Sequence, residues 1–358
     1  MSNFWQRLVK PFFVLAPMAD VTDAAFRRVI AKYGKPDVLW TEFVSADGLV
    51  HPEGRARLLK DLIYDESERP IVAQLFTSHP EKMAAATRLC AELDFDGIDI
   101  NMGCPDRGIE KQGAGAALMR DPSLAREIMR AAKQGAGNLP ISIKTRLGYN
   151  QDQLEKWLPE LLAEEPAAVT IHARTRKEMS KVSARWGRVA DAVKLRDKLK
   201  SKTLIIGNGD VVDLADASQK AMETGADGIM LGRAIFGNPW LFAGLRSAKA
   251  GIARKATEVF STENLPGSYA VALRDGLSLQ YRPSPLERHQ PSSKEKLCVM
   301  LEHTRLFEKL LGGHKSFAIM KKHYKAYVVG WPGAAELREK LMQVKMAAEA
   351  EELIRGQK

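Results

Sequence analysis

A single cysteine, Cys104, stands just beyond a short apolar run in Asp99-Ile-Asn-Met-Gly-Cys-Pro-Asp106, with Gly113 and Gly115 following. The run Gly97–Asn101 reads as a buried parallel strand, and loops at the carboxyl ends of such strands are where α/β enzymes keep their chemistry. A thiol there is placed to give up a proton. The competing reading is a small packed hydrophobe, the usual fate of a free cysteine.

A second group of residues suits a bound anion. Gly207-Asn-Gly-Asp210 and Gly232-Arg233 close two further apolar runs. Glycines let backbone N–H groups approach phosphate oxygens, and Arg233 adds a charge-assisted bond. Lys144, at the end of the run Ile141–Arg146, would stand at the mouth of the fold or inside it, a costly position unless it meets negative charge. A reduced flavin, anionic near N1 and the C2 carbonyl, would supply that charge; the alternative is a surface lysine at a strand end. Gln74 could read the edge of a planar ring. His172 could bond a flavin or a substrate, or be a satisfied strand-end histidine.

These residues need a scaffold, and the chain supplies a regular one. Eight strand candidates, Phe13–Ala16, Val38–Phe43, Ile71–Phe76, Gly97–Asn101, Ile141–Arg146, Ala167–His172, Thr203–Gly207 and Asp227–Leu231, alternate with amphipathic stretches. The stretches include Thr22–Tyr33, Glu81–Glu92, Pro122–Lys133, Gln151–Ala163 and Val212–Thr224, with Thr22, Asp121 and Asp210 as candidate N-caps and Gly34 and Gly225 as candidate stops. This rhythm predicts an α/β fold, a (β/α)8 TIM barrel over 1–247. The rival is an open doubly wound sheet, which has fewer strands and an early Gly-rich dinucleotide turn absent here.

Beyond Ser247 the alternation ends. Residues 248–291 read as an irregular linker or insertion, punctuated by Pro266-Gly267, Gly276, Pro283 and Pro285. Residues 292–358 are purely helical in pattern and predict a small C-terminal helical bundle: Lys294–Leu311, His314–Val329 and Ala334–Ile354. On the middle helix Phe317, Met320, Tyr324 and Tyr327 share one stripe, with Lys315, Lys321, Lys322, His323 and Lys325 largely off it. A solvated face and a phosphate-binding surface both fit those cations.

Composition bounds the function. The 54 Lys and Arg against 44 Asp and Glu leave a net charge of +10, which suggests a polyanionic partner such as nucleic acid. Three scattered cysteines, Cys90, Cys104 and Cys298, argue against a disulfide framework and against metal ligation, and fit the cytoplasm. Phe12–Ala16 is too short and breaks too early at Pro17 to serve as a secretory signal, and no segment suits a membrane span.

Taken in order, Leu15-Ala-Pro-Met-Ala-Asp-Val-Thr-Asp23, Gln74, Asn101-Met-Gly-Cys-Pro105, Gly113-Ala-Gly-Ala-Ala117, Ile143-Lys-Thr-Arg146, His172-Ala-Arg-Thr175, Gly207-Asn-Gly-Asp210 and Gly232-Arg233 resemble the tRNA-dihydrouridine synthases over about residues 12–240. His323-Tyr-Lys-Ala-Tyr-Val-Val-Gly330 resembles that family's helical domain. The resemblance implies an FMN barrel that reduces a uridine C5=C6 bond in tRNA with NADPH or NADH. It makes Cys104 the proton donor and puts the flavin contacts on Pro17, Met18, Ala19, Gln74, Lys144, His172, Asn208, Gly209, Asp210, Gly232 and Arg233. Hydride added at uracil C6 leaves an enolate that needs a proton at C5, and a thiol near its ordinary pKa of about 8.5 can deliver one. Asn101 and Arg146 are candidates to hold the flipped base. Arg107, Arg174, Lys315, Lys321, Lys322 and Lys325 are candidates for RNA contact, and a monomer is the default state.

The chain departs from the family pattern in three places. Asp106-Arg107-Gly108 carries one basic residue where adjacent ones are common, Met179-Ser180-Lys181 precedes Trp186 where an aromatic is common, and the stretch after the barrel is long. Two alternatives stay open: an FMN barrel acting on a free pyrimidine or small enone, and an RNA-binding relative without flavin.

Overall fold

The computed structural model describes residues 3–245 and 291–356. Eight parallel strands run β1 (Phe12–Leu15), β2 (Leu39–Ser45), β3 (Ile71–Phe76), β4 (Gly97–Met102), β5 (Ile141–Arg146), β6 (Ala168–His172), β7 (Leu204–Asn208) and β8 (Gly228–Leu231). They pair in the order β1-β8-β7-β6-β5-β4-β3-β2, so the first strand lies against the last, Phe12 beside Gly228 and Leu15 beside Leu231. Asp37 closes the seam between β1 and β2: its N–H donates to the Phe13 carbonyl at 2.9 Å and its carboxylate accepts the Phe13 N–H at 2.8 Å. The result is the barrel rather than an open sheet.

The connecting helices are α1 (Ala24–Tyr33), α2 (Ala46–Val50), α3 (Pro52–Leu58), α4 (Pro80–Glu92), α5 (Arg107–Lys111), α6 (Pro122–Ala136), α7 (Leu154–Leu162), α8 (Trp186–Lys198) and α9 (Leu214–Thr224). Strand residues alternate between two apolar clusters. Phe12, Val14, Trp40, Val72, Ala168, Ile206 and Met230 fill the interior, while Phe13, Leu15, Leu39, Ile71 and Ala73 pack outward against the helices. Phe4 and Trp5 stack on each other at 4.8 Å, and Trp5 lies 5.8 Å from Phe12 and 5.9 Å from Trp40, so the N-terminal turn plugs the barrel beneath its strands. A Cβ on Gly228 would fall 2.2 Å from the Phe12 ring, so the interior is filled to the point where only glycine fits.

Local boundaries differ from the sequence pattern where side-chain caps decide them. Asp23, not Thr22, caps α1 through the Phe26 N–H, and Asp213, not Asp210, caps α9 through the Asp216 N–H. Asp121 caps α6 as expected, and Gly34 and Gly225 end α1 and α9. Helix α7 begins at Leu154 rather than Gln151, and β7 runs on to Asn208. Helices α2, α3, α5 and α8 lie outside the stretches read from periodicity, most of them being short.

The C-terminal bundle comprises α10 (Ser293–Leu311), α11 (Met320–Tyr327), α12 (Ala334–Leu341) and α13 (Ala347–Arg355). The expected middle helix is shorter than His314–Val329, because Ser316 accepts the Ala318 N–H and starts a tight turn over Phe317–Ile319 before α11. The expected last helix is two: Glu349 takes the Lys345 N–H and Glu308 the Ala347 N–H, so a new helix start forms within the run. His323, grouped with the bundle's cations by its sequence position, is fully buried. Helix α10 packs on barrel helix α1, where Lys32 and Tyr33 both bond Glu302. The stretch 248–291, expected as a linker or insertion, lies but for Pro291 outside the described residues. Among the described residues no helix is long and apolar enough to cross a membrane.

Candidate active site

Beneath the carboxyl ends of the strands lies a connected polar floor. Asp99 on β4 accepts from Gln74 Nε2 of β3 at 2.6 Å and from Ser142 Oγ of β5 at 2.6 Å. Gln74 Oε1 in turn accepts from Asn101 Nδ2 at 3.2 Å. All four side chains are buried. Burial pushes the Asp99 carboxyl up to about 6. Gln74 spends its oxygen and one of its two amide hydrogens on this network, which leaves one hydrogen to offer the barrel mouth. In the sequence Asp99 reads only as the edge of the cysteine motif; a carboxylate inside an apolar strand is the signal for its structural role.

Asn101 also shapes the loop that carries the thiol. Its Oδ1 accepts the N–H groups of Gly103 at 3.1 Å and Cys104 at 2.9 Å. Arg146, almost fully buried, clamps the same loop from β5: Nε donates to the Gly103 carbonyl at 2.7 Å, and Nη1 donates to Thr175 and Met179 carbonyls of the β6 loop. From the far side, Glu110 on α5 pairs with Arg176 of that loop. The thiol is half-buried against Phe43, Phe76, Ile109 and Ala114. Burial raises its pKa, the Asp106 backbone opposes this, and Lys144 and Arg146 pull the other way from Asp106's charge. The group is a thiol at neutral pH.

Lys144 donates to Asn208 Oδ1 at 3.2 Å, and Asn208 Nδ2 donates to the Met230 carbonyl at 2.8 Å. Desolvation and repulsion from Arg146 bring the Lys144 ammonium down to about 8. His172 is held well below its ordinary value by burial and then by Lys144, Arg146, Arg174 and Arg233. Its Nε2 lies 3.1 Å from Arg174 Nη1. A guanidinium only donates, so Nε2 accepts and the ring proton sits on Nδ1.

Arg174 is buried and also pairs with Asp210, whose other oxygen takes Arg233 Nη2 at 2.8 Å. Asp210 therefore orients two arginines rather than capping α9, and Arg174 is built into the floor rather than free to meet RNA. Trp186, on α8, donates Nε1–H to the Gly209 carbonyl at 2.9 Å. Pro17, Met18 and Ala19 form the loop after β1, where the Met18 N–H bonds Thr22 Oγ1. A Cβ on Gly232 would come to 3.7 Å of Ala16 and 3.9 Å of Met18 Sδ, so the glycine leaves a slot between the β1 and β8 loops.

Of the candidate RNA cations, Arg107, Lys322 and Lys325 are exposed and Lys321 is half-buried on α11. Lys315 is different. Its Nζ lies 2.6 Å from Glu42 and 3.6 Å from Asp61, with only 12% of the side chain exposed. That engagement corrects the expectation of a free phosphate contact there.

A parallel β/α barrel with a guarded thiol, a half-buried lysine, a neutral histidine and a glycine-arginine loop pair at one end defines a barrel enzyme. The chain matches the dihydrouridine synthase (Dus) family over residues 14–358 and belongs to it. A Staphylococcus epidermidis protein described as "Probable tRNA-dihydrouridine synthase" is 38% identical over 355 residues, covering 99% of this chain and 95% of that protein. A Bacillus subtilis protein described as "Probable tRNA-dihydrouridine synthase 2" is 38% identical over 354 residues, covering 99% and 96%. Among solved structures, a 2-naphthoyl-CoA reductase complex matches with a TM-score of 0.51 at 11% identity; the match covers 67% of this chain and half of that one, a likeness of fold alone.

Proposed function

We propose that this protein reduces uridine in tRNA to 5,6-dihydrouridine, with FMN as its bound cofactor and NADPH or NADH as reductant, in the cytoplasm. The observation that carries the reading is the Cys104 thiol, kept protonated by burial and electrostatically coupled to Lys144 at the same barrel mouth. The residues fit a flavin by their donor set. Lys144 offers a cation to an anionic ring edge, His172 an Nδ1–H and Gln74 an amide hydrogen, while Gly209, Gly232 and Arg233 suit the phosphate. Asp210 is paired with Arg174 and Arg233, which offset its charge toward a phosphate, while both Asp99 oxygens are taken by the Gln74 amide and the Ser142 hydroxyl.

When bound, reduced flavin supplies the hydride for uracil C6. The protein's part is to hold the base and deliver a proton to C5. Cys104 Sγ gives that proton, and Lys144 and Arg146 favour the thiolate left behind. Asn101 and Arg146 fix the loop that aims the sulfur; their hydrogen bonds to the loop make them positioning residues first. Arg107 at the start of α5, and Lys321, Lys322 and Lys325 on the bundle, offer charge to the tRNA backbone.

The test is nucleoside mass spectrometry of unmodified tRNA after incubation with the purified protein and NADPH. Dihydrouridine in the digest supports the reading. A yellow protein that consumes NADPH on small enones and leaves tRNA unreduced would replace it.

A further inference from the structure

Lys315 lies between α10 and α11 yet buries its ammonium in the barrel. It meets Glu42 of β2 at 2.6 Å, Asp61 at 3.6 Å and Asp20 at 3.9 Å, while its neighbour His314 bonds Asp61 at 2.9 Å and Lys322 reaches Asp20 at 3.5 Å. Glu42 is itself 7% exposed, and its second oxygen accepts the Asp20 N–H at 2.5 Å. Asp20 ends the loop Pro17–Asp20 and takes φ 55°, a left-handed conformation uncommon outside glycine that aspartate adopts more readily than most residues.

The acids crowd one another without that lysine. Asp23 has one buried oxygen with no partner, and burial together with Glu42 pushes its carboxyl up to about 7. Against the cost of its own burial, Lys315 is held protonated by Glu42, Asp61 and Asp23. A buried carboxylate stripped of its counter-ion must take up a proton or swing to solvent, and in swinging it would release Asp20.

We infer that Lys315 is a positioning residue: by neutralising Glu42 it lets that carboxylate hold the Asp20 N–H, so docking of the helical bundle sets the loop after β1 at the barrel mouth. The chain Lys315, Glu42, Asp20 is a buried path between the bundle and the barrel mouth, beside the more exposed contact of Lys322 with Asp20. The consequence for cofactor binding rests on the proposed function; the loop coupling itself does not.

Hydrogen exchange on the full-length protein as purified tests it. Lys315→Met should speed exchange of the Met18–Thr22 amides at least tenfold relative to β5 amides, and Lys315→Arg should restore protection. In a Glu42→Ala background, Lys315→Met should add less than twofold, because both changes break one path. Should Lys315→Met fail to fold, Lys315→Gln runs the same cycle. Unchanged loop exchange in the lysine variants, or effects that multiply in the double variant, overturns the inference. A log–log salt slope for tRNA binding that falls by about one unit with loop exchange unchanged would instead make Lys315 a phosphate contact. A titration with FMN read by fluorescence separates the two proposals: wild-type protein that takes up no FMN defeats the proposed function, while the exchange result still decides the coupling.

Discussion

Asn101 Oδ1 accepts the Cys104 N–H at 2.9 Å while its Nδ2 donates to Gln74 at 3.2 Å. One amide thus ties the loop of Cys104 to the buried floor that ends in Asp99. The position of Cys104 is fixed by a strand side chain, not by the loop itself, and this is why the motif runs Asn-Met-Gly-Cys.

Asn101→Ala strands two loop N–H groups and one Gln74 oxygen in a buried setting. Unsatisfied groups of this kind cost about 1–3 kcal/mol. Urea unfolding should show a loss in that range, and dihydrouridine formation should slow by more than the loss of folded protein accounts for. Wild-type stability in the variant would mean that water replaces the amide.

The lysine at the barrel mouth sets a pH limit. Lys144 is charged below about 8 and neutral above it, so affinity for FMN, read by fluorescence titration, should fall as pH rises through 8 to 9. Lys144→Met should bind FMN more weakly at pH 7 and show no decline over that interval. An unchanged decline in the variant would assign the titration to another group.

Acid should loosen the bundle. His303 and His323 pack ring to ring at 4.5 Å, each against Phe26 of α1, fully buried and, among the described residues, with no hydrogen-bond partner for any of their four nitrogens. Phe236 and Tyr327 complete the surroundings, and Lys322 and the histidines themselves add repulsion. Burial lowers both rings, His323 to about 3. Above the ordinary value of 6.5 both are neutral folded or unfolded, so stability is intact; below it only the unfolded chain takes up protons, and each ring costs up to about 1.4 kcal/mol per pH unit. Asp23 and Asp99, raised to about 7 and about 6, act in the opposite sense. The difference between wild type and His303→Phe/His323→Phe, in urea unfolding at pH 7.5 and pH 5, isolates the histidines: the variant should lose less stability on acidification. Equal losses would contradict the neutral pair.

Salt dependence should report the lysines of α11. Replacing Lys321, Lys322 and Lys325 together by alanine should lower the log–log salt slope of tRNA binding by about two to three, at roughly 0.7–0.9 per phosphate contact. FMN uptake should be unchanged in Lys321→Ala/Lys325→Ala, which leaves the contact of Lys322 with Asp20 in place. A slope within half a unit of wild type would place the tRNA on another face.

The barrel was legible because its strands are apolar runs of fixed rhythm, and the site residues near it because they close those runs. Gly97–Asn101 announces β4, and Asp99 within it announces a buried partner. The fate of long cations was not legible. Arg146 reads as a free base-binding side chain, yet its acceptors are carbonyls at 103, 175 and 179. Lys315 shares its stretch with lysines that face water, and its partner Glu42 lies 273 residues away. His323 likewise takes its environment from Phe26 and Phe236, which no local pattern connects to it. Helix ends failed where several acids compete for one cap, as Asp210 and Asp213 do, and the choice fell to whichever was free of an arginine.

In the proposed function Cys104 donates the proton that completes reduction of the uracil ring. The direct measurement is single-turnover formation of dihydrouridine in unmodified tRNA by wild type and Cys104→Ala, each loaded with FMN and reduced beforehand. The account predicts equal FMN content, similar tRNA affinity and a rate at least a hundredfold lower in the variant, within the usual range for a general acid. A Cys104→Ala enzyme working within threefold of wild type would show that the proton comes from elsewhere.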